Sequence, residues 1–383
     1  MSQIESEPKK SWEAFSEANA VESLRSKGID NVVMAFAIEN EKTANGSEVN
    51  VEGVYWMKLD VPEIEEKEKL MPVEGKIYFP KNTNGELILF TPGFPGGNAG
   101  RFEKIYTQAF LDAGYTFFTI RHNGTSLTNG ELSADILNSE KRMDIALQVN
   151  EHHIGGTTAK GCDPDIMMDE PIVAINALQG KFQKIHLIGQ SMGVASNYNA
   201  VTKLRDDQEF KQKLGNIIGI SGFITGEQES SDGIWEGMKK FESDKEGVTP
   251  GLEALISVNM DYAKKVDLNF NFTTDEYKEF YSRVANKNKN MVVPENAGNI
   301  LVYCPEDPLI VGPNFSDEDS ILNYGPKSRR KLIVEDFSKP ALDKKAHSML
   351  WIDPKNLVRA IQTKVSDHGP HLIKVGNIVN IIK

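Results

Sequence analysis

Residues 186–196 read HLIGQSMGVAS, a serine set between two glycines directly behind a short apolar run. The pattern Gly189-x-Ser191-x-Gly193 recurs by chance in long chains, so alone it says little. Its flanks say more. KIHLIG (184–189) predicts a buried strand, and QSMGVASNYNAVTKL (190–204) predicts a helix. At such a strand-to-helix turn the serine takes up a strained backbone, and the residues two positions away must be small. Its hydroxyl then projects from the carboxyl edge of a sheet, and the helix beginning at Met192 turns amide groups and dipole toward the same point. The competing reading is a tight turn carrying an incidental serine.

The surrounding chain repeats the same rhythm. ELILFTPGF (86–94) is an apolar run of the kind a parallel strand buried on both faces shows. A helical segment (98–114), a second buried run YTFFTIR (115–121), a helix at 168–180 and a strand in NIIGISG (216–222) come next. Upstream, NVVMAFAIE (31–39), VEGVYWMKLDVP (51–62) and VEGKIYFP (73–80) are rich in Val, Ile, Tyr and Phe and read as strands punctuated by proline. The first 28 residues read as a polar helix ending at Gly28. Strand and helix alternation resumes after residue 298 with NILVYCPEDPLI (299–310), RKLIVED (330–336) and WIDPKNLVRAIQTKV (351–365). The expected fold is α/β, a doubly wound, mostly parallel sheet with right-handed crossovers.

Between 226 and 297 the alternation stops and helical, aromatic-bearing segments take over. This piece is expected to be a helical cap inserted after the sixth strand. The expected organisation is thus an N-terminal helix and β-rich extension over 1–70, a core formed by 71–225 and 298–383, and the cap over 226–297. A second insertion covers 130–166.

The bulk numbers restrict the function classes. A net charge of −12 opposes a nucleic acid or anionic membrane partner, since both require excess Lys and Arg. Only two cysteines occur, Cys162 and Cys304, without metal-type spacing, so a disulfide framework is not expected. The opening MSQIESEPKK is charged where a secretory signal places an apolar core, and VVMAFAI (32–38) is too short to cross a bilayer. A cytoplasmic location, no membrane insertion and no cofactor are the expectations; the oligomeric state stays open.

Residues 73–366 resemble the α/β-hydrolase fold of serine esterases, lipases, thioesterases and peptidases. VEGKIYFPKNTNGELILFTPGFPGGN is similar to that family's antiparallel leading strands and oxyanion loop, and GQSMG to its nucleophile elbow. No subfamily is indicated, and residues 1–70 find no counterpart in the family. The resemblance implies a triad in the chain order Ser, acid, His, because a serine hydroxyl needs a base, and the base needs an orienting group. Asp307, in PEDPLI after the strand NILVYC, fits the acid; Glu306 and then Glu227 are the fallbacks. His347, in KKAHSMLW between a strand and the last helix, fits the base. His368 and His371 come after that helix, and His122, His152 and His153 precede the serine. His186, inside a strand, reads as a satisfied core histidine.

The resemblance also implies an oxyanion hole built from the backbone N–H groups of Met192 and Phe94. Gly93, Gly96 and Gly97 let backbone approach a substrate closely. One departure stands out: Pro92 occupies a position where a histidine commonly braces this loop. The cap supplies Trp235, Phe241, Tyr277, Phe280 and Tyr281, either as its own small core or as walls of an apolar pocket. The leading expectation is a serine hydrolase of a small-molecule carboxylic ester or thioester. The alternatives are an aminopeptidase or amidase on the same fold, and a binding module without chemistry. A metal site from His152, His153, Cys162, Asp163 and Asp165 lacks a recognised spacing.

Overall fold

The computed structural model describes residues 16–61, 70–94, 99–122, 163–220, 222, 274–287, 297–302, 330–335, 353–362 and 372–374. The strands are β1 (Val32–Ala37), β2 (Gly53–Leu59), β3 (Val73–Phe79), β4 (Glu86–Thr91), β5 (Thr116–Arg121), β6 (Lys184–Gln190), β7 (Leu214–Ile220), β8 (Gly298–Val302), β9 (Arg330–Glu335) and β10 (Leu372–Lys374). The helices are α1 (Ala18–Ser26), α2 (Ala99–Asp112), α3 (Pro164–Met167), α4 (Glu170–Leu178), α5 (Met192–Lys203), α6 (Gln208–Lys213), α7 (Thr274–Lys287) and α8 (Pro354–Gln362). All ten strands join one sheet in the order β1-β2-β3-β5-β4-β6-β7-β8-β9-β10. The first three pair antiparallel, β3 meets β5 antiparallel, and every later pair is parallel.

The central strands are apolar on both faces because helices cover both. Leu87 and Leu89 of β4 point into one cluster with Ile185 and Leu187 of β6, packed under residues of α1, α4, α5 and α6. Ile88 and Phe90 of β4 and Ile188 of β6 point the other way, onto α2 and α8. Side chains alternate with the pleat, yet both sides are dry, so the sequence shows continuous runs rather than alternation. On α2, Phe102, Tyr106 and Phe110 recur every four residues and form one stripe, with Phe102 stacked 3.8 Å from Phe90.

The doubly wound sheet expected from the sequence is therefore present. The strand at 216–222, after which the cap range begins, is β7, seventh rather than sixth in chain order. β1 and β2, from the expected N-terminal extension, continue this sheet: β2 pairs with β3 from Gly53 opposite Phe79 to Leu59 opposite Val73. The sequence predicts no strand at β10, whose three residues pair with β9 at the other edge; so short an element has no periodicity to betray it. Among the described residues, no helix is long and apolar enough to cross a membrane.

A charged cluster lies inside the protein where β3, β5 and α2 meet. Lys76 Nζ contacts Glu41 Oε1 at 3.1 Å and Glu103 Oε2 at 3.3 Å, and Arg121 donates to Glu103 Oε1 at 2.8 Å and to Thr119 Oγ1 at 2.6 Å. Burial pushes the Glu103 carboxyl up, but the charges of Arg121 and Lys76 outweigh it and hold the group below its ordinary range. Two cations face two carboxylates, so the cluster is balanced; removing one member strands a buried charge. The cluster fixes the carboxyl end of β5, the strand that leads into the site.

Helix α7 lies within the expected cap range and is fastened to the core by charge. Arg283 bonds Asp163 Oδ1 at 2.7 Å and also Asp165, while Lys287 bonds the Asp165 carbonyl at 2.7 Å and Asp169 Oδ2 at 3.0 Å. Lys203 of α5 completes the network on Asp169 at 2.9 Å. Burial raises the Asp165 carboxyl, yet Arg283 and Lys287 more than offset this and lower it overall. A lowered carboxyl contributes stability above its unfolded value and loses it as pH falls through the folded value. Arg283 and Asp165 are both partly exposed, so solvent screens the pair. Arg283→Ala is expected to lower Tm by about 1–3 °C at neutral pH and low salt. In a thermal melt series the difference should close in high salt and at pH below the ordinary aspartate range.

Candidate active site

The strand order places a switch point between β4 and β6: the chain leaves β4 for β5 on one side and returns to β6 on the other. Ligands of open α/β sheets collect at the carboxyl ends of strands flanking such a point. Three segments end there side by side, His122 after β5, Pro92–Phe94 after β4, and Ser191 after β6.

Ser191 has φ 53° and ψ −121°. With Asn40 it makes up the non-glycine residues of positive φ among the described residues. The conformation costs roughly 1–3 kcal/mol. Ser191 is also the N-cap of α5, a position where serine ordinarily accepts a hydrogen bond from the first helical turn. Here the side chain makes no such cap bond. A serine that served only to cap the helix would have ordinary backbone and a hydroxyl bonded to that first turn; Ser191 has neither. The backbone itself is held, its N–H donating to Ile220 O at 2.9 Å.

Both elbow glycines are required by close approach. A Cβ on Gly189 would lie 2.5 Å from Gly193 O, and one on Gly193 would lie 2.0 Å from Thr91 O. The loop after β4 presses as hard against the elbow, since a Cβ on Gly93 would stand 2.7 Å from Ser191 Cβ. Met192 opens α5, so its N–H has no intrahelical acceptor. Phe94 comes directly after Gly93. Its ring meets Phe280 of α7, with centroids 4.5 Å apart, and both rings are buried. Of the cap aromatics, Tyr277 and Tyr281 also belong to α7, whereas Trp235 and Phe241 lie outside the described residues.

The loop is tied from both sides. The Gly93 N–H donates to Gln190 Oε1 at 3.2 Å, and Thr91 Oγ1 donates to Asn197 Oδ1 at 2.7 Å. His122 Nε2 lies 2.8 Å from the Pro92 carbonyl, while its Nδ1 lies 2.5 Å from Glu170 Oε2. His122 and Glu170 are both essentially inaccessible to solvent. Sequence reasoning sets His122 aside because it precedes the serine. The single available signal is its place immediately after a buried strand, beside a loop whose usual bracing histidine is replaced by Pro92.

The other residues singled out by the sequence divide cleanly. Ser191, Met192 and Phe94 stand together at the switch point. Asp307 and His347 lie outside the described residues, as do Glu306, Glu227, His152, His153, His368, His371, Cys162, Cys304, Gly96 and Gly97. His186 is the satisfied core histidine expected of it: Nδ1 accepts the Asn216 N–H at 3.1 Å, so the proton sits on Nε2 and is donated to Glu86 at 3.0 Å. Asp163 and Asp165 serve Arg283, and among the described residues no group of three or more His, Cys, Asp or Glu is arranged to hold a metal.

No family model matches this sequence, and no curated protein matches it. Among solved structures it is similar to a lipase in its open form, at 12% identity and TM-score 0.40 over 84% of this chain and 90% of that one. It is similar also to a thermostable carboxylesterase cloned from a metagenomic library, at 10% identity and TM-score 0.43 over 82% and 89% of the two chains. A third is an esterase from Exiguobacterium antarcticum, at 13% identity and TM-score 0.39 over 76% and 97%. At such identities and scores these neighbours say nothing of what this chain acts on. Sheet order and elbow geometry decide the architecture: antiparallel leading strands, a parallel core wound both ways from β4, and a strained serine after β6 make this an α/β-hydrolase fold.

Proposed function

We propose that the protein is a serine hydrolase that cleaves a carboxylic ester or thioester through an acyl-enzyme. The observation that carries this reading is the backbone of Ser191, strained and uncapped at the carboxyl edge of the sheet. Strain of this kind persists where surrounding structure enforces it, and here the hydroxyl is not spent on capping the helix it begins. His347 takes the proton as Ser191 attacks the carbonyl carbon and returns it to the leaving oxygen or sulfur. Asp307 orients His347. Water, activated by the same histidine, then releases the acid and restores the serine.

Strand order supports this assignment of the acid. Asp307 comes a few residues after β8, and β8 lies two strands from β6 in the parallel sheet, about 10 Å at ordinary strand spacing. The segment holding His347 comes after β9, the next strand along. The tetrahedral intermediate gathers negative charge on the former carbonyl oxygen and needs two fixed donors. Met192 N–H, at the start of α5, is one. Since Gln190 already engages the Gly93 N–H, the Phe94 N–H is the other. Phe280 and Phe94 form part of the apolar wall that receives the acyl or alcohol group.

Three substitutions test the chemistry. Ser191→Ala is expected to abolish labelling by a fluorophosphonate probe and to cut turnover of short p-nitrophenyl esters by at least about 10⁴-fold. Combining it with His347→Ala should cost almost nothing more, because residues acting as one unit are not additive. Labelling that survives in Ser191→Ala sinks the reading, and turnover of aminoacyl amides in place of esters moves it to an amidase. Phe280→Ala is expected to raise KM for esters of longer acyl chains roughly tenfold while short esters are little affected.

A further inference from the structure

We propose that His122, Glu170 and Gln190 are positioning residues that lock the Pro92–Gly93 peptide and thereby aim the second oxyanion donor. This inference rests on the serine-hydrolase reading above. The Pro92 carbonyl and the Gly93 N–H are the two ends of one planar peptide unit, pointing opposite ways. Each end has its own side-chain partner from a different neighbouring strand. From the end of β5, His122 Nε2–H donates to the carbonyl at 2.8 Å; from the end of β6, Gln190 Oε1 accepts the N–H at 3.2 Å. The plane is gripped at both ends and cannot rotate without breaking a buried bond.

The grip acts on the donor one residue further along the loop. Gly93 is the residue with the most backbone freedom, and its rotations alone separate the gripped plane from the Phe94 N–H. A glycine is unavoidable here, given the 2.7 Å approach to Ser191 Cβ, so the freedom it introduces has to be removed by other means. Fixing the preceding plane gives those two rotations a fixed starting point, and the buried Phe94 ring against Phe280 limits them from the far side. A carbonyl oxygen only accepts, so Nε2 must carry the proton, and Glu170 at 2.5 Å from Nδ1 closes the other side of the ring. His122 at the end of an adjacent strand, backed by Glu170 of α4, therefore does what a histidine at position 92 would otherwise do from within the loop.

Gln190 has a second consequence. It is the residue immediately before the nucleophile, so the strained turn and the loop opposite are coupled through one side chain. A shift of the elbow moves the oxyanion loop with it, and the distance between attacking oxygen and donor is preserved.

The test uses the full chain with a short p-nitrophenyl ester, and measures kcat, KM, Tm and amide exchange at Gly93. Gln190→Met and His122→Met, near in shape but without the bonding atom, are each expected to lower kcat about 10- to 100-fold. KM should stay within about threefold, since the lost interaction belongs to the transition state. His122→Gln, whose amide offers a donor near the position of Nε2, should recover most of the loss. The two Met substitutions together should cost little more than one, because both free the same peptide. Exchange at the Gly93 amide should quicken in Gln190→Met. If Ser191→Ala abolishes turnover while Gln190→Met keeps kcat within about twofold per folded molecule, the lock is refuted and the serine reading stands. If Ser191→Ala leaves turnover intact, both fall. Should His122→Met fail to fold, Gln190→Met decides alone, and a drop in Tm without a drop in kcat counts against the lock.

Discussion

The constraint that shapes the site is the collision-limited crossing of the elbow over the end of β4. Gly193 lies so close to the Thr91 carbonyl that no other residue fits, and Gly93 lies close to Ser191, where a Cβ would stand 2.7 Å from Ser191 Cβ. At this crossing Ser191 has φ 53°, and the loop after β4 lies against it. The strain of roughly 1–3 kcal/mol is small beside what holds the turn in place. Ile185, Leu187 and Ile188 of β6 are fully buried, and each contributes about 1.5–3 kcal/mol by burial, as an upper bound. A well-packed parallel sheet can hold a poor backbone conformation at its edge, and that is where this one is found.

Around that contact the protein uses buried polar groups sparingly and in closed sets. Glu41, Lys76, Glu103 and Arg121 neutralise each other beneath the end of β5. One residue further on, His122 and Glu170 form a second set, and the Nε2 donor of His122 reaches the Pro92 carbonyl in the loop after β4. Charges in low dielectric are costly unless paired, so each set is rigid once made. Rigidity below passes to rigidity above: the strand end that carries His122 is anchored by Arg121. Helix α7 is held differently, by half-exposed ion pairs to Asp163 and Asp165 that salt and acid weaken. The core side of the site is thus fixed by buried bonds, while α7, which carries Phe280, is held by these partly exposed pairs together with the more deeply buried Lys287–Asp169 pair.

Much of this is legible in the sequence. The runs at 86–94, 115–121, 184–189 and 216–222 are apolar throughout because helices cover both faces, and such runs announce buried parallel strands. The glycines of GQSMG announce the elbow because steric exclusion is written directly into residue type. Boundaries are less legible: the sheet end of ELILFTPGF stops at Thr91, three residues before the run does, because Pro92 and Gly93 leave the ladder. That β1 and β2 extend the same sheet is not legible, since a strand's partners are not encoded in its own pattern. His122 escapes notice for the same reason. Its neighbours Pro92 and Glu170 are 30 and 48 residues away in the chain.

The amino-acid sequence alone therefore determined the class of fold and the position of the strand-to-helix elbow that carries Ser191, because periodicity, apolar content and glycine placement are local properties that each residue carries with it. Tertiary structure alone decided which groups surround that serine. The peptide grasped by His122 and Gln190 exists only where the ends of β5, β4 and β6 come side by side, and strand order is settled by packing across the whole sheet rather than by any one segment of it.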